Sequence, residues 1–145
     1  MFKHILLPTD GSLASEISIQ QGVRLAKEIN ARVTGVYIIP AYHVMVDQNA
    51  MLGDSEEQVD IESTALALQF LEVIEREARR AGVQCDSVHA INDRPYEGIL
   101  KMADDKGCDL IAMASHGRTG ARALLMGSQT LKVLTHSKVP VLVFR

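Results

Sequence analysis

Two glycine-containing stretches near the end of the chain have the residue types of an anion site. Ala114-Ser115-His116-Gly117 is followed, after nine intervening residues, by Gly127-Ser128. The apolar run Asp109-Leu110-Ile111-Ala112-Met113-Ala114 leads straight into the first of them. A buried strand therefore stops at a glycine loop, and a helix starts near Ser128. Backbone amides at a helix N-terminus, approached closely through glycine, suit an anion such as phosphate. A second polar turn, Pro8-Thr9-Asp10-Gly11-Ser12, closes another apolar run at the start of the chain. The Asp10 carboxylate can accept hydrogen bonds from vicinal hydroxyls. It can equally cap the helix that follows, and the residue types alone leave both roles open.

The elements that must position these turns alternate regularly. Phe2 to Thr9 reads as a continuous apolar strand, and Ser12 caps the helix after it. Ser18, Gly22, Leu25, Ala26 and Ile29 form that helix's packing stripe. Arg32 to Ile39 is a β-branched strand stopped by Pro40. Residues 40 to about 56 have no period and read as a long loop. The part from Pro40 to Asp54 suits a lid, and residues 40 to 62 carry six acidic side chains with no Lys or Arg.

A second helix runs from about Ser55 to Ala81, with Ala67, Phe70, Leu71, Ile74, Ala78 and Ala81 inward and Gly82 as its stop. Cys85 to Ile91 is a third strand. Asn92-Asp93-Arg94-Pro95 opens a third helix with Tyr96, Ile99, Leu100 and Ala103 inward, closed at Gly107. Leu110 to Ala114 and Val139 to Phe144 are strands four and five, separated by a helix from about Ser128 to His136. Near-continuous apolar strands alternating with amphipathic helices specify an α/β fold, a doubly wound five-stranded parallel sheet with helices on both faces. Ligands of such sheets sit beyond the C-terminal strand ends. Thr9 to Gly11 and Ala114 to Gly120 are neighbours there if strands one and four pair.

At 145 residues the chain suits a single domain, 1–145, with an ordinary core-forming composition of 47% hydrophobic and 23% charged residues. Its net charge of −3 offers no basic field for nucleic acid. After Met1-Phe2-Lys3-His4 the short apolar run to Leu7 is too short for a signal peptide or a membrane span, so a cytoplasmic location is expected. Cys85 and Cys108 lack metal-type spacing and read as two buried thiols of a reducing compartment. His4, His43, His89 and His136 are scattered and support no metal site.

The late glycine pattern resembles the nucleotide-binding signature of the universal stress protein family, Gly-x-x-Gly, nine residues, then Gly and Ser or Thr. Gly117, Gly127 and Ser128 match it, and Ala114 stands where the family has glycine. The opening turn, the third helix after a polar turn, and the ending Val139-Pro140-Val141-Leu142-Val143 extend the resemblance over essentially the whole chain. It implies strand order 3-2-1-4-5, an adenine-nucleotide alpha-hydrolase-like arrangement, and ATP or AMP as ligand, with or without Mg. It further implies that Asp10 holds the ribose, Pro8 and Thr9 line the base, and Ile38 touches the adenine. Met113 and Ala114 would pass beneath the nucleoside, while Gly117, Gly127, Ser128 and the Gln129 backbone amide would meet the phosphates. A homodimer joined through Val139 to Phe144 is implied as well, since that strand would lie at a bare apolar edge.

Ala114 changes the motif in a definite direction. A methyl crowds the nucleoside if glycine serves close approach there, and a positive φ would cost alanine about 1 kcal/mol. At an ordinary strand end alanine is harmless, and Met113-Ala114 reads as a continuing strand. Arg118 and Arg122 sit in a polar loop and read as solvated. His116, at the strand exit, reads as structural, because no nucleophile with an orienting acid accompanies it. The expected function is adenine-nucleotide binding in a stress-response regulator, with a non-binding dimeric adaptor as the alternative. Without a Walker A loop, a Gly-x-Gly-x-x-Gly turn after strand one or an evident base, any hydrolysis should be slow. A response-regulator receiver lacks support, since no lysine ends strand five and no helix follows it.

Overall fold

The computed structural model describes residues 1–41, 56–117 and 126–145, with residues 56–60 described by their backbone. The segment of 42–55 that holds most of the expected lid lies outside the described residues, as do Arg118, Gly120 and Arg122. In chain order the elements are β1 (His4–Thr9), α1 (Leu13–Ile29), β2 (Arg32–Ile39), α2 (Glu56–Ala81) and β3 (Cys85–Ile91). They continue as α3 (Pro95–Lys106), β4 (Leu110–Ala114), α4 (Ser128–His136) and β5 (Val141–Phe144). All strand pairs are parallel and the order is β3-β2-β1-β4-β5.

Most boundaries coincide with those expected, and two strands are shorter. β1 begins at His4 rather than Phe2, and β5 begins at Val141 rather than Val139. The second difference has a visible cause. Ser137 Oγ donates to Val139 O (2.7 Å) and accepts from Val139 N (3.2 Å), so a side-chain-closed turn occupies the backbone before Pro140. Ladder pairing then starts at Val141, opposite Ile111.

The pleat sends alternate residues of each strand to opposite faces. Ile5, Leu7, Val33 and Ala112 pack with Ile19, Val23, Leu71 and Ile74 of α1 and α2. On the other face Leu6, Val36, Ile38 and Met113 pack with Ile99, Ala103 and Val133 of α3 and α4. Ile5, Leu6 and Leu7 are fully buried, each contributing about 1.5–3 kcal/mol of apolar burial. Glycine lets helices settle on the sheet without gaps. A Cβ at Gly22 of α1 would stand 2.5 Å from Leu7 Cδ2, and one at Gly98 of α3 would stand 2.7 Å from Ile38 Cδ1. Tight settling of α3 over Ile38 defines one wall of the cleft described below.

A polar relay closes the opposite end of the sheet. Thr34 donates to Asp86 Oδ1 (2.5 Å), so the proton shared between His4 Nε2 and Thr34 Oγ1 (2.7 Å) is the histidine's. Lys106, at the end of α3, donates to Asp86 Oδ2 (3.1 Å). Burial, assisted by the Arg32 charge, holds the His4 pKa below the ordinary histidine value. Burial opposes ionisation of Asp86, but its bonds from Thr34 and Lys106 prevail and lower its pKa. Burial pushes both thiols up to about 11, so both resist becoming thiolates. Cys108 is buried as expected, whereas Cys85 is only half-buried because it lies on the edge strand β3.

Candidate functional site

Pairing of β1 with β4 places the two polar turns side by side. Beyond the C-terminal strand ends they border a cleft of about 230 Å³. Pro8, Thr9, Asp10, Ile38, Met113, Ala114, Gly117, Gly127, Ser128 and Gln129 all line it. The structure thus brings together every residue singled out from the sequence for this site. Their roles toward a ligand are taken up below.

The first turn is held by its own side chains. Thr9 Oγ1 accepts from Gly11 N (3.1 Å), and Gly11 adopts φ +79°, a region that favours glycine. A Cβ on Gly11 would also overlap the Phe70 ring. Ser12 is the N-cap of α1, its Oγ accepting from Ser15 N (3.2 Å). Asp10 is therefore not the helix cap. Its Oδ1 accepts from Ser12 N (2.9 Å) and Ser15 Oγ (2.8 Å), which fixes the carboxylate plane. Its Oδ2 faces Gly117 so closely that a Cβ there would overlap it.

The second turn folds back on the end of β4. Ser115 N donates to Phe144 O (2.8 Å), and Gly127 N donates to Ser115 O (2.6 Å). Thr130 Oγ1 of α4 donates to Ala114 O (2.9 Å). A Cβ on Gly127 would lie 3.1 Å from Ser115 O and 3.4 Å from His116 Cα. Gly117 and Gly127 have φ outside the left-handed region, so both are required by close approach rather than by backbone conformation. Gly127 is the N-cap of α4 and makes no side-chain capping bond. The helix start thus presents backbone donors at the end of the cleft where Asp10 and Gly117 meet.

Ala114 is an ordinary strand residue. It ends β4, pairs with Phe144, and does not adopt a positive φ. The backbone strain that alanine would suffer in a left-handed conformation is absent. His116 Nδ1 shares a proton with Ser115 Oγ (2.8 Å), and its Nε2 is buried with no hydrogen-bond partner among the described residues. His116 also lines the cleft between the two turns. Among the described residues no group of three or more His, Cys, Asp or Glu could hold a metal ion. Among them, too, no helix is long and apolar enough to cross a membrane.

Much of the rest of the cleft lining is apolar. Val36, Tyr37 and Pro40 at the end of β2, and Pro95 and Ile99 of α3, join Pro8, Ile38 and Met113. Ser15 and Thr130 also line the cleft. Sequence reasoning did not assign these residues, or His116, to the site. The position of Val36, Tyr37 and Pro40 at a C-terminal strand end was a usable signal. Ile99 and Pro95 carried no comparable one, because which face α3 covers depends on strand order. The mix of apolar side chains, a carboxylate and a helix start suits a ligand with both a flat apolar ring and an anion.

Comparison with known proteins agrees with this geometry. The family model described as the universal stress protein family matches residues 1–145. Universal stress protein MJ0577 of Methanocaldococcus jannaschii is 30% identical, covering 100% of this chain and 96% of its own. Universal stress protein YxiE of Bacillus subtilis is also 30% identical, with both chains covered completely. The solved structure of MJ0577 superposes with a TM-score of 0.84 at 31% identity, covering 99% of this chain and 95% of that one. A universal stress protein from Archaeoglobus fulgidus, solved in complex with dAMP, shares the fold at 16% identity with a TM-score of 0.63, covering 100% of this chain and 98% of its own.

Proposed function

The chain belongs to the universal stress protein family, and we propose that it binds an adenine nucleotide, ATP or AMP, in the cleft between the ends of β1 and β4. The observation that carries this reading is the mixed lining of the cleft: the Asp10 carboxylate beside Gly117, a helix start with no side-chain cap at Gly127, and apolar walls from β1, β2, α3 and β4. In this reading Asp10 accepts from the ribose hydroxyls, and Pro8, Thr9 and Ile38 enclose the base. Met113 and Ala114 form the floor. Gly117, Gly127, Ser128 and the Gln129 amide face the phosphates; the Gly127 N–H is held by Ser115 O, so the part of this glycine is to leave room for the ligand beside the helix-start amides that follow. The dAMP complex of the A. fulgidus protein supports an adenine ligand for this fold. The strand-end conformation of Ala114 removes the backbone objection to binding.

Calorimetric titration with ATP and with AMP, each with and without Mg, tests the reading and ranks the ligands. Gly127→Val should weaken binding at least tenfold, about 1.4 kcal/mol, since its branched side chain must displace the Ser115 and His116 backbone. Absence of heat for the unsubstituted protein refutes the reading. We further propose a cytoplasmic regulator that couples nucleotide occupancy to partner binding and works as a homodimer. β5 is the sheet edge, and Val141 to Phe144 all remain half-buried in the single chain. Antiparallel pairing with a second copy about a two-fold axis would cover that edge and close the assembly.

A further inference from the structure

The helix α3 begins without a capping side chain of its own. Pro95 occupies its first position and has no N–H, and the Arg94 side chain at the N-cap bonds Glu97 Oε1 (2.9 Å) rather than capping the helix. Tyr96 therefore carries the first helical N–H. It donates to Gln129 Oε1 of α4 (3.0 Å), a residue 33 positions away in sequence. Two more α4 side chains engage the same tyrosine. Lys132 Nζ lies 5.4 Å from the Tyr96 ring centroid, and the His136 ring stacks on it at 5.6 Å with planes 29° apart. Residues 129, 132 and 136 fall on one face of α4, and that face is committed to Tyr96.

We propose that the Gln129 side chain is a positioning residue for the nucleotide, latching the first turn of α3 to the first turn of α4. This inference rests on the nucleotide reading above. In that reading the first turn of α4 meets the phosphates, and Pro95 and Ile99 of α3 line the same cleft. The Gln129–Tyr96 bond sets the spacing between the starts of α3 and α4 across the cleft while the Gln129 backbone amide stays directed to the phosphates. Loss of the acceptor leaves the Tyr96 N–H unsatisfied and frees α3 to shift over Ile38. The base loses its wall, although no atom that contacts it has been changed.

The test compares the unsubstituted protein with Gln129→Met, which keeps length but loses the acceptor, and Gln129→Glu, which restores it. Each is titrated with ATP and with adenosine, and Tyr96 amide exchange is followed in all three. Gln129→Met should weaken ATP and adenosine by the same factor, about threefold to tenfold for one net hydrogen bond. Gln129→Glu should recover adenosine affinity, because that ligand has no phosphate for the new charge to repel. Tyr96 amide protection should fall in Gln129→Met and return in Gln129→Glu. Weakening of ATP alone makes the side chain a phosphate ligand and overturns the proposal, as does Tyr96 protection that is unchanged in Gln129→Met. If the unsubstituted protein binds neither ligand, the nucleotide reading fails instead.

Discussion

Gly117→Ala probes the contact that joins the two halves of the site. The added Cβ would overlap Asp10 Oδ2, and the carboxylate cannot simply swing away. Its other oxygen is held by Ser12 N at 2.9 Å and Ser15 Oγ at 2.8 Å. Either those bonds are given up or the loop at Gly117 moves, and overpacking of this kind costs about 1–3 kcal/mol. For a chain of 145 residues a loss of about 2 kcal/mol lowers Tm by roughly 4–8 °C. Asp10→Ala removes the group being struck. In that background Gly117→Ala should cost no more than about 0.5 kcal/mol, giving a coupling of about 1 kcal/mol or more in a double-mutant cycle. Urea unfolding of the four proteins measures this coupling directly. Equal costs of Gly117→Ala with and without Asp10 would falsify the argument that glycine is present to make room for the carboxylate.

Two other expectations come from opposite ends of the sheet. The folded pKa of His4 lies below its unfolded value of 6.5, so its contribution to stability is intact above that pH and is lost as pH falls toward the folded pKa. Between pH 7 and 5.5 the protein should lose up to about 1.4 kcal/mol per pH unit relative to His4→Gln, read by urea unfolding; parallel pH profiles would exclude the histidine. Aspartate at both Val141 and Val143 should place like charges across the proposed β5 axis and yield monomers or unfolded chains. Light scattering decides this, and a mass near 15.9 kDa for the unsubstituted protein at micromolar concentration would end the dimer proposal.

Apolar periodicity located every element named above, because strands buried on both faces and helices buried on one leave different spacings in the chain. β2, β3, β4 and α4 fall at the residues where the patterning places them. The errors lie at ends such as Val139, where a Ser137 side chain competes with the ladder for the same backbone groups. Spacing also marked Asp10, Gly117 and Gly127, since glycine and acid types at strand ends are local signals. What those glycines do was not legible. Gly117 and Gly127 have ordinary φ and are required only by what stands opposite them, Asp10 in one case and the Ser115 carbonyl in the other. Ser12 does the capping in the folded chain, as the sequence indicated, but the close approach of Asp10 Oδ2 to Gly117 was not legible. Gln129 is the clearest case. The family resemblance implied a backbone role at the start of α4, while its side chain satisfies an amide on α3. Local conformational preference is a property of neighbours in the chain and survives in the sequence. Contact across the sheet depends on strand order and on which helix covers which face, and only the folded chain decides those.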